Sequence, residues 1–258
     1  MKFFVITRFN DYFPTFDGIH ATSSNHHLGI ENWWLERRIE IFLQVTVPSI
    51  ASQTDKDFEW IIKCHPKTPK WTRKILAGLP LIACYDEIPQ QNSTTKQASL
   101  SFHRAIRKIT DDKEIITSRV DSDDGLSRCY VENAKRHIKP NKFMDFIQGV
   151  VKDSNGIYFH FKPTITSQFC SYMDYGTNLL TVYHQYHHLI KNSIKIDGLF
   201  GWFQNNHDFN ITTEMRKTTG RNYPHKIFKS DMDEVKKKYP FIKTKWAKND
   251  TVKPCLFL

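Results

Sequence analysis

Long apolar runs are missing from this chain of 258 residues: no stretch approaches the ~20 apolar residues that a membrane-crossing helix needs. The N-terminal MKFFVITRFNDYF has only a short apolar run before Thr7 and Arg8, too little for the core of a secretory leader, so any membrane contact is expected to be peripheral. Cysteine is scarce and odd in number. The five residues, at 64, 84, 129, 170 and 255, contain no CxxC pair, which argues against zinc-ligand spacing and a secreted disulfide framework and fits a reducing, cytoplasmic home. With 10 Gly and 11 Pro the chain is neither collagenous nor low in complexity, and no internal repeat is evident. An HExxH metal motif is also absent, so His184, His187 and His188 read as a histidine-rich helix surface.

What is present is enough apolar material, 40% of residues with 14% aromatic, to bury one α/β core. Basic residues number 37 against 27 acidic, a net charge of +10 that predicts attraction to anions without choosing among them. Residues 225–258 carry nine lysines against four acids, so half of the excess sits there. We therefore expect a domain over 1–224 and a basic C-terminal appendage over 225–258.

Lys2–Phe9 reads as a buried strand that delivers Thr7, Arg8 and Asn10 to a sheet edge, followed by a long polar loop to Asn32. Glu31–Gln44 places Leu35, Ile39, Phe42 and Leu43 on one helical face with Arg37, Arg38 and Glu40 outside, and Pro48 is expected to stop the helix. Strands over 58–64, 81–85 and 114–120 alternate with helices over 68–78 and 94–109. A helix over 127–138 follows, then a hairpin of 143–152 and 157–162 about Asn155-Gly156, and helices over 177–191 and 199–205.

The fourth strand runs into Asp121-Ser122-Asp123-Asp124-Gly125, an acidic cluster at a strand's carboxyl end, where ligands bind in open parallel sheets. Crowded carboxylates repel one another, and a hard divalent cation neutralises them best. On that reading Asp121 and Asp123 face one ion while Asp124 braces the turn; on the plainer reading the segment is a turn and helix cap in which Gly125 supplies positive φ. Arg119 serves either as a structural ion-pair partner or as a phosphate clamp.

Four segments together resemble a bacterial family of rhamnosyltransferases within the GT-A class of nucleotide-sugar glycosyltransferases. They are VITRFN at 5–10, WLERRIEIFLQVTVPSIASQTDKDFEWII at 34–62, ITSRVDSDDGLSRCYVE at 116–132 and GWFQNNHDFN at 201–210. The resemblance implies a GT-A fold, a mixed sheet flanked by helices, and a hexosyltransferase (EC 2.4 type) in surface polysaccharide synthesis. It implies Mn²⁺ or Mg²⁺ held by Asp121, Asp123 and Asp124, with His207 completing the site. Thr7, Arg8, Asn10, Arg119 and Asp121 would then face the nucleotide-sugar donor. Similar sequences end the second strand in an acidic residue, whereas Cys64-His65 stands here.

An inverting transfer needs a base on the acceptor side, for which Asp174 in the polar, aromatic SQFCSYMDYG is the candidate and Asp197, Asp208 and Glu214 are rivals. Trp33, Trp34, Tyr172, Tyr175 and Trp202 offer stacking faces for a sugar or base. The expected acceptor is a glycan or glycolipid. Lys236–Lys238 with Phe241 and Trp246 would dock peripherally on the inner face of an anionic membrane or close over the donor, and the C-terminal arm could instead pair two copies as a homodimer. Competing readings are a nucleic-acid-binding protein, which explains the charge but shows no recognition signature, and a metal-dependent phosphohydrolase. Nucleic acid is not the expected partner.

Overall fold

Two-residue alternation along Lys2–Arg8 (β1) buries Phe3 and Val5 on one side and Phe4 and Ile6 on the other, so this strand must be covered on both faces. The computed structural model describes residues 1–10, 30–85, 95–153, 156–161, 167–175, 180–185, 189–206, 225–226 and 232–242. Most of the expected loop from Asn10 to Asn32 lies outside them.

Helix α1 (Asn32–Ile41) buries Leu35 and Ile39 on the first face of the sheet. Pro48, read from sequence as the end of this helix, does not end it. A π turn over Phe42–Thr46, closed by Val47 N–H to Phe42 O, leads into α2 (Val47–Ala51). The proline then occupies a first-turn position, where its missing N–H costs little.

The chain continues through β2 (Glu59–Lys63), α3 (Lys70–Ala77), β3 (Ile82–Cys84), α4 (Thr95–Arg107) and β4 (Glu114–Arg119). Strands β1 to β4 are parallel in the order β3-β2-β1-β4. Helix α4 covers the second face with Phe102, Ala105 and Ile106.

Next come β5 (Gly125–Leu126), α5 (Tyr130–His137), β6 (Lys142–Asp153), β7 (Gly156–Phe161), β8 (Ser171–Tyr175) and β9 (Ile194–Asn205). β8 inserts antiparallel between β4 and β6, and β9 runs parallel to β6. The expected hairpin is present, with β6 and β7 paired out to Asp153 opposite Gly156. The whole is the mixed α/β sheet implied by the GT-A resemblance, parallel first and largely antiparallel after.

Two expected helices are corrected. Residues 199–205 lie in strand β9, because Trp202 and Phe203 are both fully buried on opposite faces and so leave no polar position to mark the period. The strand is locked by close glycine–aromatic contacts. A Cβ on Gly149 would lie 2.1 Å from the Trp202 ring, one on Gly201 2.3 Å from Phe146 Cβ, and Trp202 Nε1–H donates to Phe146 O at 2.8 Å.

Within 177–191, the described residues show a 3-10 turn over Val182–His184 rather than an α-helix. Side chains of other elements take the backbone groups there: Val182 N–H donates to Thr117 Oγ1 at 2.7 Å and Thr181 N–H to Ser99 Oγ at 3.1 Å.

The C-terminal stretch adds β10 (His225–Lys226), which pairs with β7, and α6 (Met232–Lys238). Val235, Tyr239, Phe241 and Ile242 are buried against Ile41, Val45, Val150 and Phe203. The described part of the expected appendage therefore packs on the domain, and Phe241 is a core residue rather than a membrane-docking one. Trp246 lies outside the described residues.

Candidate active site

Strand direction decides which residues meet. β1 to β4 point one way, β8 reverses, β6 reverses again and β9 follows β6, so all of these except β8 bring their carboxyl ends to one edge. The acidic cluster follows β4 at that edge.

Each of its aspartates has a different environment. Asp121 pairs with Arg119, Nη2 to Oδ1 at 3.1 Å and Nε to Oδ1 at 3.3 Å, and its side chain is 30% exposed, the most open of the three. Asp123 is buried and bridged by Arg38, Nη1 to Oδ2 at 2.9 Å. Asp124 is also buried, its Oδ1 accepting Asn205 N–H at 2.8 Å. Thr46, in the π turn, donates to Asp124 O at 2.8 Å and ties the loop to the long helix. Gly125 is required by a close approach, not by positive φ: a Cβ there would lie 2.7 Å from Phe241 Cζ.

Arg38, read as an outward helix residue, instead reaches inward over the Trp34 ring, Cζ to centroid 4.8 Å, to meet Asp123. Arg8 and Arg119 end adjacent strands and both lie against Tyr183, 5.3 and 5.1 Å from its ring centroid. Burial works against the charge on Arg119, but neighbouring Asp121 more than offsets it and holds the guanidinium protonated.

Thr7 and Asn10 reach the same edge with their side chains engaged in the protein. Thr7 Oγ1 accepts Trp60 Nε1–H at 3.0 Å, and Asn10 Oδ1 accepts His65 N–H at 3.0 Å. Asn10 ties the end of β1 to the end of β2, where Cys64-His65 stands, while Thr7 holds Trp60 near the start of β2. His207 lies outside the described residues, as do His187, His188, Asp208 and Glu214. Among the aromatic candidates Trp202 stacks on Phe169, centroids 5.2 Å apart, and Tyr172 is buried, so both serve the core; Trp33 stays exposed and Trp34 lies beside the aspartates through Arg38.

Asp174 is not at this edge. It is paired in register with Ile115, six residues before Asp121 on β4, or roughly 20 Å along the strand. The antiparallel direction of β8 carries it to the opposite end of the sheet, and its assignment as the base is withdrawn. It is buried there, and among the described residues its Oδ2 has no hydrogen-bond partner.

Burial raises the Asp174 carboxyl above the ordinary 3.8, against the opposing influence of Leu180 N–H, His184, Arg107 and His103. A folded value above the unfolded one stabilises below 3.8 and loses that contribution as pH rises through the raised value. Asp174→Asn is therefore expected to melt above wild type at about pH 8, with the gap closing on acidification. Parallel melting-versus-pH curves would remove this account.

The family model described as "Putative rhamnosyl transferase" matches residues 4–220. The chain belongs to this family. That description names a sugar-transferring activity. No curated protein matches it. Among solved structures it is similar to S. aureus TarS 1-349, with 14% identity and a TM-score of 0.41 over 80% of this chain and 60% of that one. It is also similar to S. aureus TarS, with 13% identity and a TM-score of 0.36 over 91% of this chain and 42% of that one. The chain thus spans less than two thirds of either.

Arg38 and Tyr183 were missed from sequence as site residues. The apolar face of the first helix gave no reason to turn Arg38 inward, and Tyr183 reaches the edge only through the corrected turn at Val182–His184.

Proposed function

We propose that the chain transfers a hexose, rhamnose in the family's description, from a nucleotide-diphosphate donor to a hydroxyl of a glycan or glycolipid, with inversion, in surface polysaccharide synthesis. The observation that supports this reading is the meeting of the open Asp121 carboxylate with the Arg8 and Arg119 guanidiniums at the carboxyl edge of a mixed sheet. Phosphate oxygens leaving with the nucleotide need fixed positive charge, and half-buried, positioned guanidiniums supply it with little reorganisation.

The donor set fits Mg²⁺ or Mn²⁺ only in part. Among the described residues no three His, Cys, Asp or Glu side chains converge to hold a metal, and Asp124 is turned to the Asn205 amide. Asp121 and Asp123 would hold the ion together with the donor's own phosphates, a common arrangement for Mg²⁺. When bound, it supplies Lewis-acid stabilisation of the leaving diphosphate. Asp121 orients Arg119, Arg38 fixes Asp123, and Thr46 with Asn205 holds the loop in shape.

For the acceptor-side base, the remaining sequence candidates Asp208 and Glu214 lie outside the described residues, while Asp197 is exposed and accepts from Gln148 at 2.7 Å. Among the described residues no helix is long and apolar enough to cross a membrane. Lys236 and Lys237 are exposed on α6 and keep peripheral contact with anionic lipid within the proposal.

A thermal-shift panel of UDP-, GDP-, dTDP- and CMP-linked nucleotides with and without Mn²⁺ tests the reading, since a ligand of the folded state raises its midpoint by mass action. One nucleotide class is expected to give a metal-dependent shift that Asp121→Asn loses. A shift with single-stranded nucleic acid and none with any nucleotide would sink it.

A further inference from the structure

Helix α4 and the turn over Val182–His184 cover the second face of the sheet together, joined where Thr181 N–H and Thr181 Oγ1 both meet Ser99 Oγ at 3.1 Å. The residues next to that junction, Leu100 and Leu180, are exposed. Leu189 is exposed in the same layer, its carbonyl accepting Gln185 Nε2–H at 3.1 Å and its neighbour Ile190 buried in the second-face core. Three of the six large apolar side chains left open among the described residues thus lie in one layer.

The outward side of α4 is cationic. Phe102, Ala105 and Ile106 face the core, which leaves Leu100, Arg104 and Lys108 outside at four-residue spacing. No carboxylate occurs between Thr95 and Lys108, and among the described residues neither Arg104 nor Lys108 is in an ion pair. Helix α6, also rich in lysine, differs on both counts: it carries Asp233 and Glu234, the latter paired with Lys237 at 2.8 Å, and its Val235 is buried.

Exposed leucine beside unopposed cations suits a partner that is anionic at its surface and apolar just beneath, which is an acidic bilayer. A second copy of the chain suits it less, because a two-fold contact would set Arg104 and Lys108 against the same cations. Single-stranded nucleic acid stacks on aromatic side chains, not on leucine.

α4 leads from the carboxyl end of β3 to the amino end of β4, so Leu100 lies toward the carboxyl edge and Lys108 away from it. Phe102 stacks on Tyr183, centroids 5.0 Å apart, and Tyr183 lies against Arg8 and Arg119. The apolar end of this surface is therefore the end nearer the candidate active site.

We propose that α4 and the adjoining turn dock on an anionic membrane surface, with Leu100 and Leu180 entering the headgroup boundary and Arg104 and Lys108 set on the acidic lipids. Docked this way, the carboxyl edge faces a glycolipid acceptor; the purpose of the surface rests on the transferase reading, but its test does not.

The full chain and its variants are sedimented with vesicles of phosphatidylcholine containing about one third phosphatidylglycerol, and with vesicles of phosphatidylcholine alone. Wild type is expected to bind the acidic vesicles and not the neutral ones. Arg104→Glu with Lys108→Glu should weaken binding about tenfold or more, since each cation at such a surface contributes about fivefold. Leu100→Ser with Leu180→Ser should weaken it about tenfold at unchanged charge. Lys236→Glu with Lys237→Glu on α6 alters the net charge by the same amount as the α4 pair and should stay within about threefold of wild type. Circular dichroism checks that each variant is folded.

Absence of vesicle binding by wild type overturns the proposal, as does wild-type binding by either the charge-reversed α4 variant or the leucine variant. Equal losses in the α4 and α6 charge variants overturn it too, because net charge alone would then account for the binding. Single-stranded DNA bound by wild type and lost in the α4 charge variant, with no vesicle binding, would assign the surface to nucleic acid instead. Vesicle binding with no nucleotide shift in the panel would leave the surface standing without the transferase reading. A nucleotide shift without vesicle binding would remove the surface alone.

Discussion

A chain ended at residue 224 is expected to lose its cooperative fold. The removed stretch contains Val235, Tyr239, Phe241 and Ile242, all buried against the first helix and strands β6 and β9. At ~1.5–3 kcal/mol for each buried apolar side chain, their loss together is comparable with the whole stability of a domain, about 5–15 kcal/mol.

Polar ties go with them. Tyr239 donates its hydroxyl to Trp202 O at 2.8 Å, and Arg128 N–H donates to Lys238 O at 2.9 Å. Phe241 packs directly on Gly125, the residue after the aspartates, so the same cut releases the candidate site. Phe241→Ala isolates the packing contribution and should cost about 3–5 kcal/mol in urea unfolding. A 1–224 protein with a sharp near-UV spectrum and the wild-type midpoint would show that the C-terminal packing is dispensable.

The parallel half was legible because its strands and helices differ in period. Strands of five or six apolar residues ended in polar ones, helices showed one apolar face, and the acidic cluster fell where a strand's carboxyl end must lie. β9 was not legible for the opposite reason. Phe200-Gly201-Trp202-Phe203 has no alternation, since both faces of this strand are buried, and its glycine is there to admit Phe146. Asp174 was misplaced because neighbouring polar and aromatic residues say nothing about strand direction, and one antiparallel strand moves its acid across the sheet. Arg38 and Tyr183 depend on contacts with residues 84 and 64 positions away in sequence, Ser122 and Arg119, and no local pattern records those.

Separating the three aspartates is expected to give three different phenotypes. Asp121 is the open one, so Asp121→Asn should leave melting within about 1 kcal/mol of wild type, since the amide oxygen still accepts from Arg119. If it bears on the leaving diphosphate, sugar transfer should nevertheless fall roughly 10²–10³-fold, the scale for removing an electrostatic stabiliser of the transition state. Asp123→Ala removes a buried carboxylate and leaves the half-buried Arg38 with its Ser122 contact, a loss of about 1.5–3 kcal/mol for one charge-assisted pairing. Its effect on activity would be confounded by that loss, so Asp121→Asn is the cleaner probe. Asp124→Ala removes the acceptor of the buried Asn205 amide and should cost ~1–3 kcal/mol, with activity following the loop. Melting curves and transfer rates on all three, measured with and without Mn²⁺, separate the contributions. Full transfer by Asp121→Asn would reduce the acidic cluster to a turn and helix cap, and the chemistry would then have to rest on the arginines.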